Sequence, residues 1–332
     1  MINNIFKYKK HKIWFMRQAG RYLPEFRKVR SKNKNFIKLC LNSDLSCDLS
    51  LQPIKRFDLD AAIIFSDILM VPYGLGQKIE FKKNKGPILG EININKILET
   101  KNSYFVHKLN PVYKAIKKLR KKLKKNKSLI AFVGAPWTIL IYMLHKKSPT
   151  NNFNLEKILK NKTVVNLLLK KLNSVLCLHI ENQIKAGADV IQIFDSWAGL
   201  LNKKNITKYC IKPNLKLVNH IKAKKAFSIC FPKGINESYK KFVKVVNPDC
   251  INIDSSINPK WAREKFRGTC IQGGLDPKLL LGSEKKLIKK INYYLNVFEN
   301  YPYIFNLGHG ILPQTKPSTI SKVIKTVRGF KP

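Results

Sequence analysis

Acidic residues and arginine are both scarce in this 332-residue chain. Asp and Glu together number 20 against 64 Lys and Arg, giving a formal net charge of +44, and only nine of those 64 are arginine. No run of 18 or more residues is apolar, so no membrane-spanning helix and no membrane partner is expected. The basic stretch Lys7–Lys12 interrupts any apolar run near the start, so no signal peptide is expected either. The seven cysteines (Cys40, Cys47, Cys177, Cys210, Cys230, Cys250 and Cys270) include no Cys-x-x-Cys pair. Their odd number excludes a fully paired disulfide framework and suits buried free thiols in a reducing, cytoplasmic compartment. The six histidines form neither His-x-x-x-His nor His-Glu-x-x-His, so no metal site is expected. No Gly-x-Gly-x-x-Gly follows an early strand-like run, which argues against a dinucleotide-binding domain.

What is abundant is lysine: 55 residues spread along the whole chain, alongside many Asn and Ile. A field this positive attracts polyanions such as nucleic acid, acidic lipid or a polycarboxylate. The even spread fits AT-rich coding better than a binding surface. No basic stripe with interleaved aromatics and no nucleic-acid module is present, so no specific nucleic-acid partner is expected.

Seven short, nearly continuous apolar runs end in polar or glycine-rich turns: Ala61–Phe65, Leu129–Val133, Val190–Phe194, Ala226–Phe231, Cys250–Ile253, Thr269–Gln272 and Tyr303–Asn306. Runs without strict alternation are how buried parallel strands read. Helical stretches lie between them at Val112–Lys125, Leu155–Gly187 (two helices), Pro213–Lys222 and Glu284–Phe298. Alternating strands and helices imply a parallel sheet with crossover helices. A single-domain (β/α)8 barrel is the first choice and an open doubly wound sheet the second. An eighth strand could lie between Phe65 and Leu129. Residues 1–58 are expected to form an N-terminal segment packed on the barrel, and Arg120 and Arg328 to stand on solvated helix faces.

Polar residues recur just after these runs: Asp67, Gly134-Ala-Pro-Trp137, Asp195-Ser196, Lys233-Gly234, Asp254, Asp276 and Gly308-His-Gly310. In a barrel the carboxyl ends of all strands converge on one face, so residues 240 positions apart can share a site. Each alone reads equally as a turn or helix cap, especially Asp254 and Asp276. Arg17 and Arg21 are a sharper signal. Where coding drift favours Lys, a retained guanidinium suggests a need for its planar fork, which pairs bidentately with carboxylates. Composition alone leaves open whether the two form an anion site or are ordinary surface residues.

The stretch Met16-Arg-Gln-Ala-Gly-Arg-Tyr-Leu-Pro-Glu25 resembles the N-terminal signature of uroporphyrinogen decarboxylases. Four later blocks resemble that family in order: Ile64-Phe-Ser-Asp-Ile68; Gly134-Ala-Pro-Trp-Thr138 with Tyr142-Met143; Phe194-Asp-Ser-Trp-Ala-Gly199; and Asn306-Leu-Gly-His-Gly-Ile-Leu-Pro313. The likeness runs from about residue 12 to 326. Two departures stand out: Gly274, where the family usually has Asn, and Ser255, where Trp is usual.

The resemblance implies removal of the four acetate carboxylates of uroporphyrinogen III to give coproporphyrinogen III, without metal or organic cofactor, in a homodimer. It implies that Asp67 stabilises the cationic pyrrole intermediate, that Tyr142 orients Asp67, and that Arg17 and Arg21 bind carboxylates. Gln18, Ala19, Gly20, Ser196 and His309 complete the implied substrate contacts. By residue type alone, Tyr142, Ser196 and His309 read as a core tyrosine, a turn serine and a backbone-held histidine. The nearest other activity on this fold is a cobamide-dependent methyltransferase with a zinc site. It would need thiolate and imidazole ligands together, and no His-x-Cys occurs.

Overall fold

Runs of Ile, Val, Phe and Ala with no polar alternation make strands that must be covered on both sides, and the intervening amphipathic helices supply one of the covers. A computed structural model of the chain describes residue 6 and residues 11–82, 86–150 and 152–330. Of the basic stretch near the start, residues 7–10 lie outside the described residues. The described strands are β1 (Lys12–Ile13), β2 (Ala61–Ile63), β3 (Ile79–Lys82), β4 (Gly86–Leu89), β5 (Ser128–Gly134), β6 (Val190–Asp195), β7 (Phe227–Pro232), β8 (Cys250–Ile253), β9 (Cys270–Gly273) and β10 (Tyr303–Phe305). Eight of them form one parallel sheet in the order β1-β10-β9-β8-β7-β6-β5-β2. Strands thus follow one another around the sheet in chain order with helices between, a single (β/α)8 barrel.

The seven expected strands form, with ends displaced by at most two residues. The eighth strand needs correction. The region between Phe65 and Leu129 holds β3 and β4, an antiparallel hairpin outside the barrel. The eighth strand is β1, which pairs with β10 through Lys12↔Ile304 and Ile13↔Phe305. Two residues leave no apolar run to read; only the partner defines them as a strand. The N-terminal segment therefore supplies a barrel stave as well as the covering helices Pro24–Lys32, Phe36–Cys40 and Ser43–Arg56.

The helix expected from Val112 begins at Asn102 and carries Pro111 in its interior, where a proline reads as a first-turn residue. Leu155–Gly187 divides as expected into Leu155–Leu159 and Lys162–Lys185. By length and composition the second of these could cross a membrane, but half of its apolar window is buried within the fold. Its Leu168, Leu172, Val175, Leu176 and Ile180 are inside, as a barrel's covering helix requires.

The barrel interior is filled by Trp14, Ile63, Ile130, Val190, Ile229, Phe231, Cys250 and Ile304. Above them lies a buried polar layer. Trp14 Nε1 donates to Gln272 Oε1 at 2.9 Å, and Gln272 Nε2 donates to Asn252 Oδ1 and, at 3.2 Å, to Gln192 Oε1. All seven cysteines are free, and six are buried.

Between β1 and β2 the regular ladder gives way to side chains. Asp60 N donates to the Ile13 carbonyl at 2.9 Å, and Ile13 N donates to Asp60 Oδ2 at 2.7 Å. Arg328, from the C-terminal helix Pro317–Gly329, donates from Nη2 to the same Oδ2 at 2.7 Å and to the Asp58 carbonyl at 3.1 Å. Gln18 is fully buried; its Nε2 donates to the Ala61 carbonyl and its Oε1 accepts from Phe15 N, both at 3.1 Å. Two expectations are corrected by these contacts. Arg328 is a tie across the barrel seam, and its face is not simply solvated. Arg120 likewise pairs with Asp189 at 2.9 Å, while its stem packs over Gly187, whose φ of +111° suits glycine.

Gln18→Ala would strand two buried backbone groups, each costing about 1–3 kcal/mol. A loss of about 2–5 kcal/mol is expected, read as a lower urea midpoint at unchanged slope. Arg328→Lys should cost about 1–2 kcal/mol, because an ammonium cannot replace both contacts of the fork. A midpoint unchanged in both variants would mean that the seam closes without them.

Candidate active site

The turn after β1 carries the arginine motif, and its backbone is unusual. Arg17 adopts φ +60°, a left-handed conformation that side chains other than glycine rarely take. It is held there on both sides. Gln18 N donates to the Phe15 carbonyl at 3.0 Å, and Ile311 N, in the turn after β10, donates to the Met16 carbonyl at 3.0 Å. Met16 N in turn donates to Asn306 Oδ1 at 3.1 Å. Two glycines make room: a Cβ on Gly20 would lie 2.7 Å from the Arg17 carbonyl oxygen, and one on Gly310 would lie 2.5 Å from Arg17 Cδ. The Arg17 stem therefore occupies the place where any other residue at 310 would carry its side chain. The Arg17 side chain is accessible to solvent yet largely enclosed, and burial lowers its pKa against the opposing pull of Asp67.

Asp67 follows β2. Its Oδ1 accepts from Leu69 N at 2.8 Å, which fixes the carboxylate at the mouth of the turn. It keeps some accessible surface but is ringed by protein, so it is recessed and not sealed. That desolvation raises its pKa to about 6, against the Leu69 hydrogen bond and the Arg17 charge, both of which favour the carboxylate. Tyr142 lies on the helix Pro136–His145 after β5, half-buried, with its hydroxyl 3.5 Å from Ser148 Oγ. Burial raises its pKa, and the charges of Asp67 and Arg17 both reach it. Its ring meets Trp197 edge-on, 6.1 Å between centroids. The Trp197 indole N–H faces the phenol without closing a hydrogen bond to it.

Ser196 follows β6 and is partly exposed. Its position is set by the buried Asp195 beside it. Asp195 accepts from Thr138 Oγ1 at 2.7 Å and from Asn214 Nδ2 at 3.1 Å, and Thr138 Oγ1 accepts from Trp197 N at 3.1 Å. His309 follows β10. Gly310 N donates to its Nδ1 at 2.7 Å, so the proton resides on Nε2, which is left as a donor. Burial, with the charges of Arg17 and Lys233, lowers its pKa to about 4, and the ring is neutral at neutral pH.

Arg17 is thus within electrostatic reach of Asp67, Tyr142 and His309, which come from three other strand ends, and Arg21 acts on Arg17. Ala19 and Gly20 lie in the same turn, partly exposed. Gln18, in the same turn, points its side chain away from this face, with both ends of its buried amide serving the barrel seam. Asp276 caps the turn Pro277–Leu281, accepting from Lys278 N at 2.9 Å. Asp254 joins two strand-end loops, accepting from Gly234 N at 2.8 Å and Ser256 N at 3.0 Å.

Arg30, another of the few arginines, has local partners: its Nη1 donates to the Asn33 carbonyl and its guanidinium lies over the Phe36 ring, 5.6 Å from the centroid. The two departures Ser255 and Gly274 line one cavity of about 230 Å³, in which Tyr294 takes up the space beside Gly274 and donates to its carbonyl at 2.9 Å. A larger cleft of about 770 Å³, lined by Arg263, Arg267, Tyr293 and Tyr301 among others, lies apart from these strand ends, between the helices Pro259–Lys265 and Glu284–Val297. Among the described residues no three His, Cys, Asp or Glu side chains gather as a metal site would require.

A family model described as uroporphyrinogen decarboxylase (URO-D) matches residues 7–330. A protein called uroporphyrinogen decarboxylase from Rickettsia bellii is 42% identical over 96% of this chain and 95% of its own length. One of the same name from Rickettsia felis is 41% identical over 96% and 93%. Among solved structures, a methyltransferase from Methanosarcina mazei superposes with a TM-score of 0.77 at 14% identity, covering 97% of this chain and 94% of that one. At that identity it speaks for the fold alone.

Because the Asp67 pKa is raised on folding, its contribution to stability is present below about pH 3.8 and is lost as pH rises through about 6. Asp67→Asn should therefore stabilise the free protein by about 1–3 kcal/mol at pH 7.5. At pH 3.5 it should change nothing. Thermal unfolding at both values checks this, and a destabilised variant at pH 7.5 would mean that the carboxylate is not desolvated.

Proposed function

The chain belongs to the uroporphyrinogen decarboxylase family, carboxy-lyases of tetrapyrrole biosynthesis, and we propose that it removes the four acetate carboxylates of uroporphyrinogen III to give coproporphyrinogen III. The observation that carries this is one recessed carboxylate, Asp67, set at the strand ends beside arginine and a histidine N–H donor. Loss of CO2 from a pyrrole acetate needs an electron sink. Protonation of the ring carbon provides it, because the resulting cation takes up the electron pair of the breaking C–C bond. A second protonation, at the exocyclic carbon, makes the methyl group, and loss of the proton first added to the ring restores the pyrrole, so each decarboxylation takes up one proton net. The Asp67 carboxylate faces the pyrrole N–H groups and stabilises the cation, a role that preorganised charge fills at low cost. Tyr142 orients Asp67. Arg17, Arg21, Ser196 and the His309 Nε2–H take substrate carboxylates. Arginine stays protonated and is a poor acid, so the proton comes from water or from a substrate carboxyl held by Arg17.

In this reading the chemistry is the chain's own, with no metal or organic cofactor. The protein is a cytoplasmic homodimer with its active-site clefts facing each other, and it has no specific nucleic-acid or membrane partner. The free, buried cysteines and the even spread of lysine support the compartment and the absence of a nucleic-acid role.

Incubation with anaerobically generated uroporphyrinogen III, followed by separation of the eight- to four-carboxyl products, tests the reading directly. Successive loss of four carboxyls is expected, and an unaltered substrate would refute it. The specificity constant should fall on the acid side with an apparent pKa near 6, the value burial gives Asp67.

Arg17→Lys and Arg21→Lys keep the net charge but lose the bidentate fork. Each charge-assisted hydrogen bond is worth roughly 1.5–3 kcal/mol, about 10- to 150-fold in the specificity constant. Gly310→Ala should match the loss of Arg17→Lys, since its methyl would displace the Arg17 stem. Exposed Arg267→Lys should change nothing. Equal tolerance at all four positions would remove the arginines from the substrate site.

A further inference from the structure

Lys233, the first residue beyond β7, was unassigned, and its setting differs from that of the surface lysines. Its backbone is clamped on both sides. Lys233 N donates to the Asp195 carbonyl at 3.2 Å, and its own carbonyl accepts from Gly199 N at 3.0 Å. The next residue, Gly234, has φ +78° and donates its N–H to Asp254 Oδ2 at 2.8 Å. A Cβ on Gly199 would lie 2.8 Å from the Gly234 carbonyl oxygen, so the loops after β6 and β7 touch backbone to backbone. The long side chain therefore rises from a rigid base at the same strand-end face as Asp67, Ser196 and His309.

Lys233 is half-buried, and among the described residues no carboxylate pairs with its ammonium. The other half-buried cations at strand ends and seams have partners: Arg120 has Asp189, Lys127 has Asp58 and Arg328 has Asp60. Asp254, in the next strand-end loop, is occupied by Gly234 N, Ser256 and Tyr239 Oη. The Lys233 charge instead reaches the His309 imidazole, on which Arg17 also acts. Geometry ties the two loops together: a Cβ on Gly308 would lie 2.5 Å from Ser255 N and 3.0 Å from the Asp254 carbonyl carbon, and Asp254 itself holds Gly234 N, so the residues after β7 and after β10 meet on the same loop.

We propose that Lys233 is a further substrate-binding residue, whose ammonium and the His309 Nε2–H together receive one carboxylate arm of a polycarboxylate substrate. This deepens the reading of the face as a uroporphyrinogen site and rests on it. It also gives β7 a contact there, where Arg17 comes from β1, Ser196 from β6 and His309 from β10. Because the ammonium holds a carboxylate remote from the electron flow, it contributes to binding and not to the chemical step, so its loss raises KM and leaves kcat largely unchanged.

The test has two arms. In turnover with uroporphyrinogen III, Lys233→Gln should raise KM at least about tenfold, the lower end for a charge-assisted hydrogen bond. The kcat should stay within about twofold, and Lys233→Arg should restore most of the loss. Lys244→Gln, the same charge change at an exposed helix position, should behave as wild type. In the second arm, the His309 resonance is followed by NMR during titration with mellitate, a benzene hexacarboxylate that needs no turnover. Mellitate should raise the His309 pKa in the wild type and bind at least about tenfold more weakly to Lys233→Gln. Should the wild type leave uroporphyrinogen unaltered, the parent reading fails and the mellitate arm alone decides the site. An unchanged KM in an active Lys233→Gln, or equal mellitate binding by wild type and variant, overturns the proposal. If Lys233→Gln fails to fold, Lys233→Met takes its place in both arms.

Discussion

Between β1 and β2 the barrel is closed by Asp60 and Gln18, two side chains that stand in for the ladder hydrogen bonds a two-residue strand is too short to make. Asp60 holds the Ile13 amide and is itself held by Arg328 from the far end of the chain. Gln18 spans from the Phe15 amide to the Ala61 carbonyl. Closure and function meet here, because Arg17 is the residue immediately before Gln18. The same turn that completes the barrel forces Arg17 into a left-handed conformation and aims it across the strand ends. Such strain, of order 1–3 kcal/mol, persists only where the surroundings over-determine it. The hydrogen bonds from Ile311 N and to Asn306, with the space left by Gly310, are those surroundings.

The electrostatics of the face follow from that geometry. One carboxylate, Asp67, is recessed and costly to ionise, so its charge is felt strongly by whatever approaches it. Beside it stands Arg17, which also bears on a histidine, His309, kept neutral by burial and by the charges of Arg17 and Lys233. The second carboxylate nearby, Asp195, is also raised to about 6 by burial, but both its oxygens are bound by Thr138 and Asn214 and it is closed to ligands. Two aspartates with similar pKa thus have different settings: one anchors the loop that carries Ser196, the other is recessed beside Arg17 with Leu69 N on one oxygen. The excess of +44 over the whole surface adds a general attraction for anions, whereas selection among them needs the fixed donors at the strand ends.

The barrel was legible because seven of its strands are buried on both sides, and such strands must be continuous apolar runs wherever they occur. The strand-end polar residues were legible as a list for a related reason: each follows a strand, and Arg17 and Arg21 stand out in a chain drifted towards lysine. Other parts were invisible locally. β1 has no pattern of its own and exists through β10. Arg120 and Arg328 lie on helices whose charged residues mostly face water, and only Asp189 and Asp60, 69 and 268 positions away, reveal them as structural. Gln18 sits inside the most telling motif, yet its amide turns inward.

The sequence by itself therefore determined the fold class, seven of the eight barrel strands and which residue types could meet an anion. These follow from local composition and periodicity, which every stretch carries with it. Only the tertiary structure decided which of those residues face the site and which close the barrel behind it. It also decided that Asp67 is desolvated, that His309 presents its Nε2 proton, and that among the described residues no carboxylate pairs with Lys233. Burial, tautomer and pairing depend on neighbours distant in the chain, and a residue's surroundings are not written in its own stretch of sequence.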